Sequence, residues 1–492
     1  MDDEFRSKLC GMKGVGWVAA LLLGVAAVSA SSAAAEPAMP APVFRAPVQL
    51  DAGVPTPTVG LPTGTEPRVA VGRDGALWAI TNDGAGAVIG LRSRDGRSWA
   101  RTAAPVAPGV ASPDVDIMVT STGRVVATEL DGAGLRIVTG YSDDRGRTWQ
   151  ESRGTALADQ DRPWLAAGPD GRVHLLFHNL FSGTGVENMF VATSTDNGAT
   201  FGAPVAITAP NEPAFQDMQC GGSSGPSSLT ADSSTGRLYA VWGSRSARRG
   251  GGCGAFVESG PAISIEGADR IWVATSLDGS PGSWTTSLAV DATASHSSLG
   301  MLFSPAALDR AGNVYVVYPE TPRAYPDYAG ATIKYRIAPR DLSHWSPPAV
   351  IASGVGGRRA GHLATHVVAG APGRLDVAYL AGVSRPGRTP AWYVTAAQVR
   401  DAASGHPRVR ETRLSPFASY TGTATLLAGA CGEGPAAGVE QGLLCPRATD
   451  DFGLALLPDC RLAVVWPAVT NDANRTNTGT YASVQRAGPT IC

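Results

Sequence analysis

A turn ending in glycine and followed by an apolar strand occurs seven times in this 492-residue chain, and that repetition restricts the fold more than any other feature. The copies begin Gly75-Ala-Leu-Trp, Gly123-Arg-Val-Val, Gly171-Arg-Val-His, Gly236-Arg-Leu-Tyr, Gly312-Asn-Val-Tyr and Gly373-Arg-Leu-Asp, with Cys460-Arg-Leu-Ala as a seventh in which Cys replaces Gly. Successive spacings are 48, 48, 65, 76, 61 and 87 residues, so insertions accumulate towards the C-terminus. A short apolar strand precedes each copy, and the best copies continue into a third and a fourth strand. Four short strands per unit, repeated around a ring, is the pattern of a β-propeller. The expectation is an all-β fold with seven four-stranded blades, six being the alternative. The last unit lacks an obvious fourth strand. Phe44-Arg-Ala-Pro-Val-Gln-Leu50 resembles Phe201-Gly-Ala-Pro-Val-Ala-Ile207, a fourth strand elsewhere, and is expected to complete it from the N-terminus.

A second repeat lies between the third and fourth strands. Its best copies are Ser142-Asp143-Asp144-Arg145-Gly146-Arg147-Thr148-Trp149 and Ser194-Thr195-Asp196-Asn197-Gly198-Ala199-Thr200-Phe201, with weaker ones ending at Trp99, Trp284 and Trp345. Asp can accept the backbone N–H groups of such a turn, and Gly or Asn-Gly supplies its positive φ. Ser142, Asp144, Gly146 and Trp149, with Ser194, Asp196, Gly198 and Phe201, are therefore expected to be structural.

Composition bounds the rest. Sixty Gly and 36 Pro suit many turns, and a formal net charge of −2 argues against a nucleic-acid surface. Arg6, Lys8 and Lys13 precede the apolar run Val15 to Val28 and a small-residue stretch ending at Ala35, the layout of a secretory signal peptide. Residues 1–35 are read as that leader, 36–43 as a Pro-rich lead-in and 44–492 as one propeller domain. The expected product is secreted and extracellular, without a membrane span in the mature chain, and a monomer. After the leader the chain keeps Cys220, Cys253, Cys431, Cys445, Cys460 and Cys492, an even count that reads as three disulfides. Proximity suggests 220–253, 431–445 and 460–492.

The turn Ser-x-Asp-x-Gly-x-Thr-Trp/Phe resembles the Asp-box of the sialidase and BNR-repeat superfamily of β-propellers. The resemblance implies a glycan as substrate or partner. It also implies that the boxes lie on the face away from the active site. At the position where such sialidases carry the arginine of their first inner strand, this chain has Thr65.

Propeller geometry then directs attention to the opposite face, where the second-to-third loops and the connections between blades converge on the central channel. Asp116, Asp161 and Glu320 are the candidate catalytic acids there, since protonating a leaving group needs a carboxyl. Arg68 and Arg162 are candidate holders of an anionic group. Trp164, His178, Tyr318 and His362 complete the candidate binding set. Two functions are carried forward: a secreted exo-glycosidase of sialidase-like type, and a non-catalytic extracellular propeller that binds glycan or protein. No cofactor is required by either, no His spacing suggests a metal site, and a structural Ca2+ held by carboxylates such as Asp450 and Asp451 is left open.

Overall fold

Each of the seven repeated turns opens the second strand of an antiparallel sheet, and the seven sheets are the blades of a propeller. The computed structural model describes residues 39–54, 66–82, 87–107, 111–131, 135–155, 160–179, 187–221, 223–246, 268–299, 303–323, 329–422, 452–468 and 479–492. The signal-peptide region lies outside them. The inner strands, in blade order, are Arg68–Val71, Ala111–Val119, Gln160–Ala167, Ser223–Ala231, Ala306–Leu308, Arg359–Ala369 and Gly453–Leu456.

The turn residue before the second strand adopts positive φ in all seven blades, from 63° at Cys460 to 92° at Gly123. Glycine does this without a Cβ penalty, which explains the periodicity. Cys460 accepts the strained conformation and forms a disulfide with Cys492, Cα atoms 5.6 Å apart, tying the last turn of the ring to the chain's end. The other two expected pairings involve Cys253, Cys431 and Cys445, which lie outside the described residues.

The ring closes as the sequence resemblance suggests. Val43–Phe44 and Val48–Gln49 both pair with the third strand of blade 7, Gly479–Ala487, with Val48 opposite Ala482 and Gln49 opposite Tyr481. Leu50 is buried beneath this joint, and its N–H donates to the Thr480 carbonyl at 2.8 Å.

No single core exists. Seven apolar clusters fill the seven joints between neighbouring blades, such as Val126, Val173 and Leu175 between blades 2 and 3. The aromatic residue closing each aspartate turn packs into the joint with the preceding blade: Trp99, Trp149, Phe201, Trp284 and Trp345 occupy five successive joints. Within the turns, the Asp196 carboxylate accepts from Thr200 N at 2.7 Å and Ser194 Oγ accepts from Gly198 N at 2.8 Å. Asp144 and Ser142 repeat the arrangement with Thr148 N and Gly146 N, both at 2.9 Å. These turns lock each blade to its neighbour.

One insertion departs from the all-β reading. Residues Pro213–Gly221 form a helix, α1, between blades 3 and 4. Ala214 and Met218, four residues apart and so on one helical face, are fully buried in that joint. Among the described residues no helix is long and apolar enough to cross a membrane.

Candidate functional site at the channel mouth

The strand register places Arg68, Asp116, Trp164, Ser228 and His366 opposite equivalent positions of their second strands, so they form one layer around the channel. All five line a cavity of about 370 Å³ whose walls come from the inner strands of all seven blades. Three of them were expected here from the sequence, namely Arg68, Asp116 and Trp164. Ser228 and His366 were not.

The polar groups of this layer reach sideways as much as inwards. Arg68 donates to the Phe452 carbonyl of blade 7 and the Val115 carbonyl of blade 2, both at 3.3 Å. Its guanidinium also lies 4.0 Å from the centroid of Trp164 in blade 3. Asp116 accepts from Leu165 N of blade 3 at 2.7 Å and from Ile117 N at 2.8 Å. Trp164 Nε1 donates to the Pro226 carbonyl of blade 4 at 2.9 Å, and Ser228 Oγ accepts from Ala306 N of blade 5 at 3.0 Å. Inter-blade bonds thus run round the channel, each satisfying a backbone group that the inner edge of a sheet leaves unpaired. The Asp116 carboxylate thus has a backbone donor on each oxygen.

Two or three residues before this layer the backbone turns to positive φ. Glu66, Arg162 and Ala364 have φ of 48°, 56° and 51°, and Gly225 lies at 73°. Proline follows Glu66, Arg162 and Gly225, and the inner strands of blades 3 and 4 shift register there, which lets proline enter without breaking a ladder; the strand of blade 6 shifts likewise at Ala364, without a proline. Non-glycine residues in this region cost about 1–3 kcal/mol each and persist where their surroundings hold them.

The surroundings of Arg162 are a buried charge cluster in blade 3. His178 Nε2 lies 3.3 Å from Asp161 Oδ2, and His178 Nδ1 lies 3.1 Å from Glu187 Oε1. Arg162 Nε is 3.8 Å from Asp161 Oδ2, and its Nη1 is 3.7 Å from Asp114 Oδ1. The guanidinium sits 5.2 Å from the Phe303 ring centroid, and Phe303 meets Trp164 edge-on. Arg162 and His178 are 4% and 2% exposed, so these are interior charges. Burial opposes a charge on His178, yet the Asp161 and Glu187 carboxylates outweigh it and lift its pKa to about 9. Burial likewise works against ionised Asp161, but the bond to His178 and the charge of Arg162 hold its pKa below the usual value.

Gly225 covers the cluster. A Cβ there would stand 2.6 Å from Arg162 Cδ and 3.0 Å from His178 Nε2, so only glycine allows the blade 4 backbone this close. From α1, the Gln219 side chain brackets the backbone of Glu187, accepting from its N–H at 3.3 Å and donating to its carbonyl. Asp217 on the same helix pairs with Arg270 at 2.9 Å and accepts from Trp272 Nε1 at 3.0 Å. Sequence reasoning found Asp161, Arg162 and His178 but missed Asp114 as Arg162's second acid, and also Glu187, Gly225 and α1. The x-Pro step repeated at the head of the inner strands is the signal that would have pointed to Gly225.

The remaining candidates lie elsewhere. Glu320 is paired with Lys334 Nζ at 2.8 Å. Tyr318 is 1% exposed within the apolar joint of blades 4 and 5, and burial pushes its pKa up. His362 is buried in blade 6, its Nε2 2.9 Å from the Ser353 carbonyl, and burial lowers its pKa. Beside it Tyr379 donates to Glu411, a Tyr–Glu pair the sequence did not disclose. Burial and the adjacent carboxylate raise the Tyr379 pKa, and neither residue lines the channel cavity. Asp450 and Asp451 lie outside the described residues, and among those described no group of three His, Cys, Asp or Glu is arranged to hold a metal.

No protein-family model matches the chain, and no curated protein matches it. Solved structures do. A PL25 ulvan lyase bound to -[GlcA(1-4)Rha3S]- is similar over 87% of this chain and 95% of its own, with 10% identity and a TM-score of 0.51. The α-L-arabinanase of Penicillium chrysogenum complexed with arabinobiose aligns over 90% of this chain and 98% of its own, with 14% identity and a TM-score of 0.43. A Hadza microbial sialidase aligns over 84% of this chain and 73% of its own, with 12% identity and a TM-score of 0.41. At such identities the likeness speaks to the fold.

Proposed function

We propose that this protein is an exported, sialidase-like Asp-box propeller that acts on glycans at the channel mouth, beside blade 3. The observation that carries this reading is Arg162, a buried cation in a strained backbone conformation, held between Asp161 and Asp114 next to the channel cavity. Strain of this kind gathers at binding and catalytic sites. Arginine is suited to the carboxylate or sulfate of a sugar, and Trp164 beside it supplies an apolar face. The names of the aligned propellers, which include a lyase, an arabinanase and a sialidase, agree with a glycan as ligand. In this reading the Asp161–His178–Glu187 array positions Arg162, and an exo-glycosidase would draw its acid from the candidates Asp116, Asp161 and Glu320.

A second reading, a glycan-binding propeller without turnover, is favoured by one specific observation. All three candidate acids are engaged, Asp116 by backbone N–H groups, Asp161 by His178 and Glu320 by Lys334. A panel of fluorogenic glycosides run beside a glycan array separates the two. Turnover by the wild type that is lost in Arg162→Ala supports the enzyme, and array binding without turnover supports the binding module. Silence in both assays refutes the proposal.

A further inference from the structure

Blade 6 differs from the other six in length and in charge. Its second strand, Leu375–Arg385, runs twelve residues past the turn glycine, where the other second strands stop seven or eight residues past theirs. The extra four residues pair with the start of the third strand, Arg388–Arg400, with Arg385 opposite Arg388. At strand rise the hairpin therefore extends about 13 Å further along the blade than its counterparts, at the channel-mouth end. Residues 353–422 hold nine arginines against three acidic residues, in a chain whose formal net charge is −2.

Four of these arginines gather at the projecting end. Arg359 lies opposite Val383 in the register, Arg358 precedes it, and Arg385 and Arg388 flank the hairpin tip. Arg358, Arg359 and Arg388 are exposed, and Arg385 is partly so. Arg359 donates to the Ser353 carbonyl at 2.7 Å and Arg385 to the Thr389 carbonyl at 2.9 Å, contacts that orient the side chains without neutralising them. Among the described residues Arg359 pairs with Glu411, 3.9 Å away and already accepting from Tyr379. Arg358, Arg385 and Arg388 have no acidic partner among the described residues.

We infer that the projecting hairpin of blade 6 is a docking surface for an anionic polysaccharide, whose sulfate or carboxylate groups pair with Arg358, Arg359, Arg385 and Arg388. The inference rests on the proposed glycan function and assigns it a substrate class. Arginine pairs such groups bidentately. The alternatives lack their own signatures. The exposed large apolar residues of the described chain are Val43, Leu277, Val350 and Val355, so no exposed aromatic is available to stack bases and no apolar helix face to enter a membrane.

The test uses the full chain and Arg385→Glu/Arg388→Glu, exposed positions whose change leaves the core intact. Binding is measured to dextran sulfate, polygalacturonate and neutral dextran, with duplex DNA and phosphatidylserine vesicles as further probes. Expected are binding to the sulfated or uronic polymer but not to dextran, weakening with salt, and a loss of about tenfold in the variant. Arg385→Lys/Arg388→Lys should recover part of that loss. Variant-insensitive binding, or a preference for neutral glycan, overturns this inference and leaves the proposed function standing. Variant-sensitive binding to DNA or vesicles but not to polysaccharide overturns it in favour of those partners. No binding to any glycan removes both.

Discussion

The aspartate turns and the buried cluster of blade 3 use aspartate in opposite ways. On the turn face Asp95 and Asp144 are solvated, and backbone N–H groups hold their pKa values at about 2. At the channel mouth Asp161 is buried, and its principal partner is a charged imidazole rather than backbone. The first arrangement repeats from blade to blade because any turn can supply N–H groups. Among the described residues the second is found in blade 3, where it needs five side chains from four segments and a glycine overhead. Repetition marks scaffold, and the single asymmetric cluster marks where specificity can reside.

The sharpest way to probe this contrast is to remove one side chain from each region. Phe201→Ala empties the joint between blades 2 and 3, and His178→Ala leaves two buried carboxylates without their cation. Each should cost about 3–5 kcal/mol by denaturant titration. If the regions differ as argued, ligand binding at conditions where both variants remain folded survives in the first and fails in the second.

pH separates the faces without mutation. The pKa of His178 is raised in the fold, so its contribution is complete below the unfolded value of about 6.5 and is lost as pH rises through about 9. The turn aspartates are depressed, so theirs is present above the unfolded value of 3.8 and is lost as pH falls through about 2. Melting temperature should therefore fall on both limbs. The alkaline limb between pH 6.5 and 9 should flatten in His178→Ala; an unchanged limb would mean that His178 is neutral in the fold.

Gly225→Ala should cost about 2 kcal/mol, since the new methyl must displace Arg162 at a backbone angle that alanine resists. It should also disturb ligand binding. Ser194→Ala, on the turn face, removes one buried acceptor of a backbone N–H and should cost about 1 kcal/mol with binding intact.

Legibility in the sequence follows the same division. The blades could be read because a positive-φ glycine must recur at every turn, and Phe44 to Leu50 could be matched to its strand because it copies Phe201 to Ile207. Asp161, Arg162 and His178 were found because they flank strands whose register was known. Glu187 was not, since it follows a second-to-third loop of no fixed length. Nor could the roles of Arg68 and Asp116 be foreseen: their partners, Phe452 and Leu165, are 384 and 49 residues away and contribute backbone atoms, which carry no sequence signature. Helix α1 was hidden because an insertion of this length has no periodic copy to compare with.

The pairing of Val43–Phe44 and Val48–Gln49 with the last strand has a consequence for assembly. Blade 7 is built from strands at opposite ends of the propeller, so it is complete only once Val43–Phe44 and Val48–Gln49 meet Gly479–Ala487. Until they meet, the edge of Gly479–Ala487 is open to any other extended segment, including the N-terminal strand of another copy. High concentration during refolding should therefore favour exchanged dimers, and a circular permutant with its ends joined at this seam and cut between two contiguous blades should suppress them.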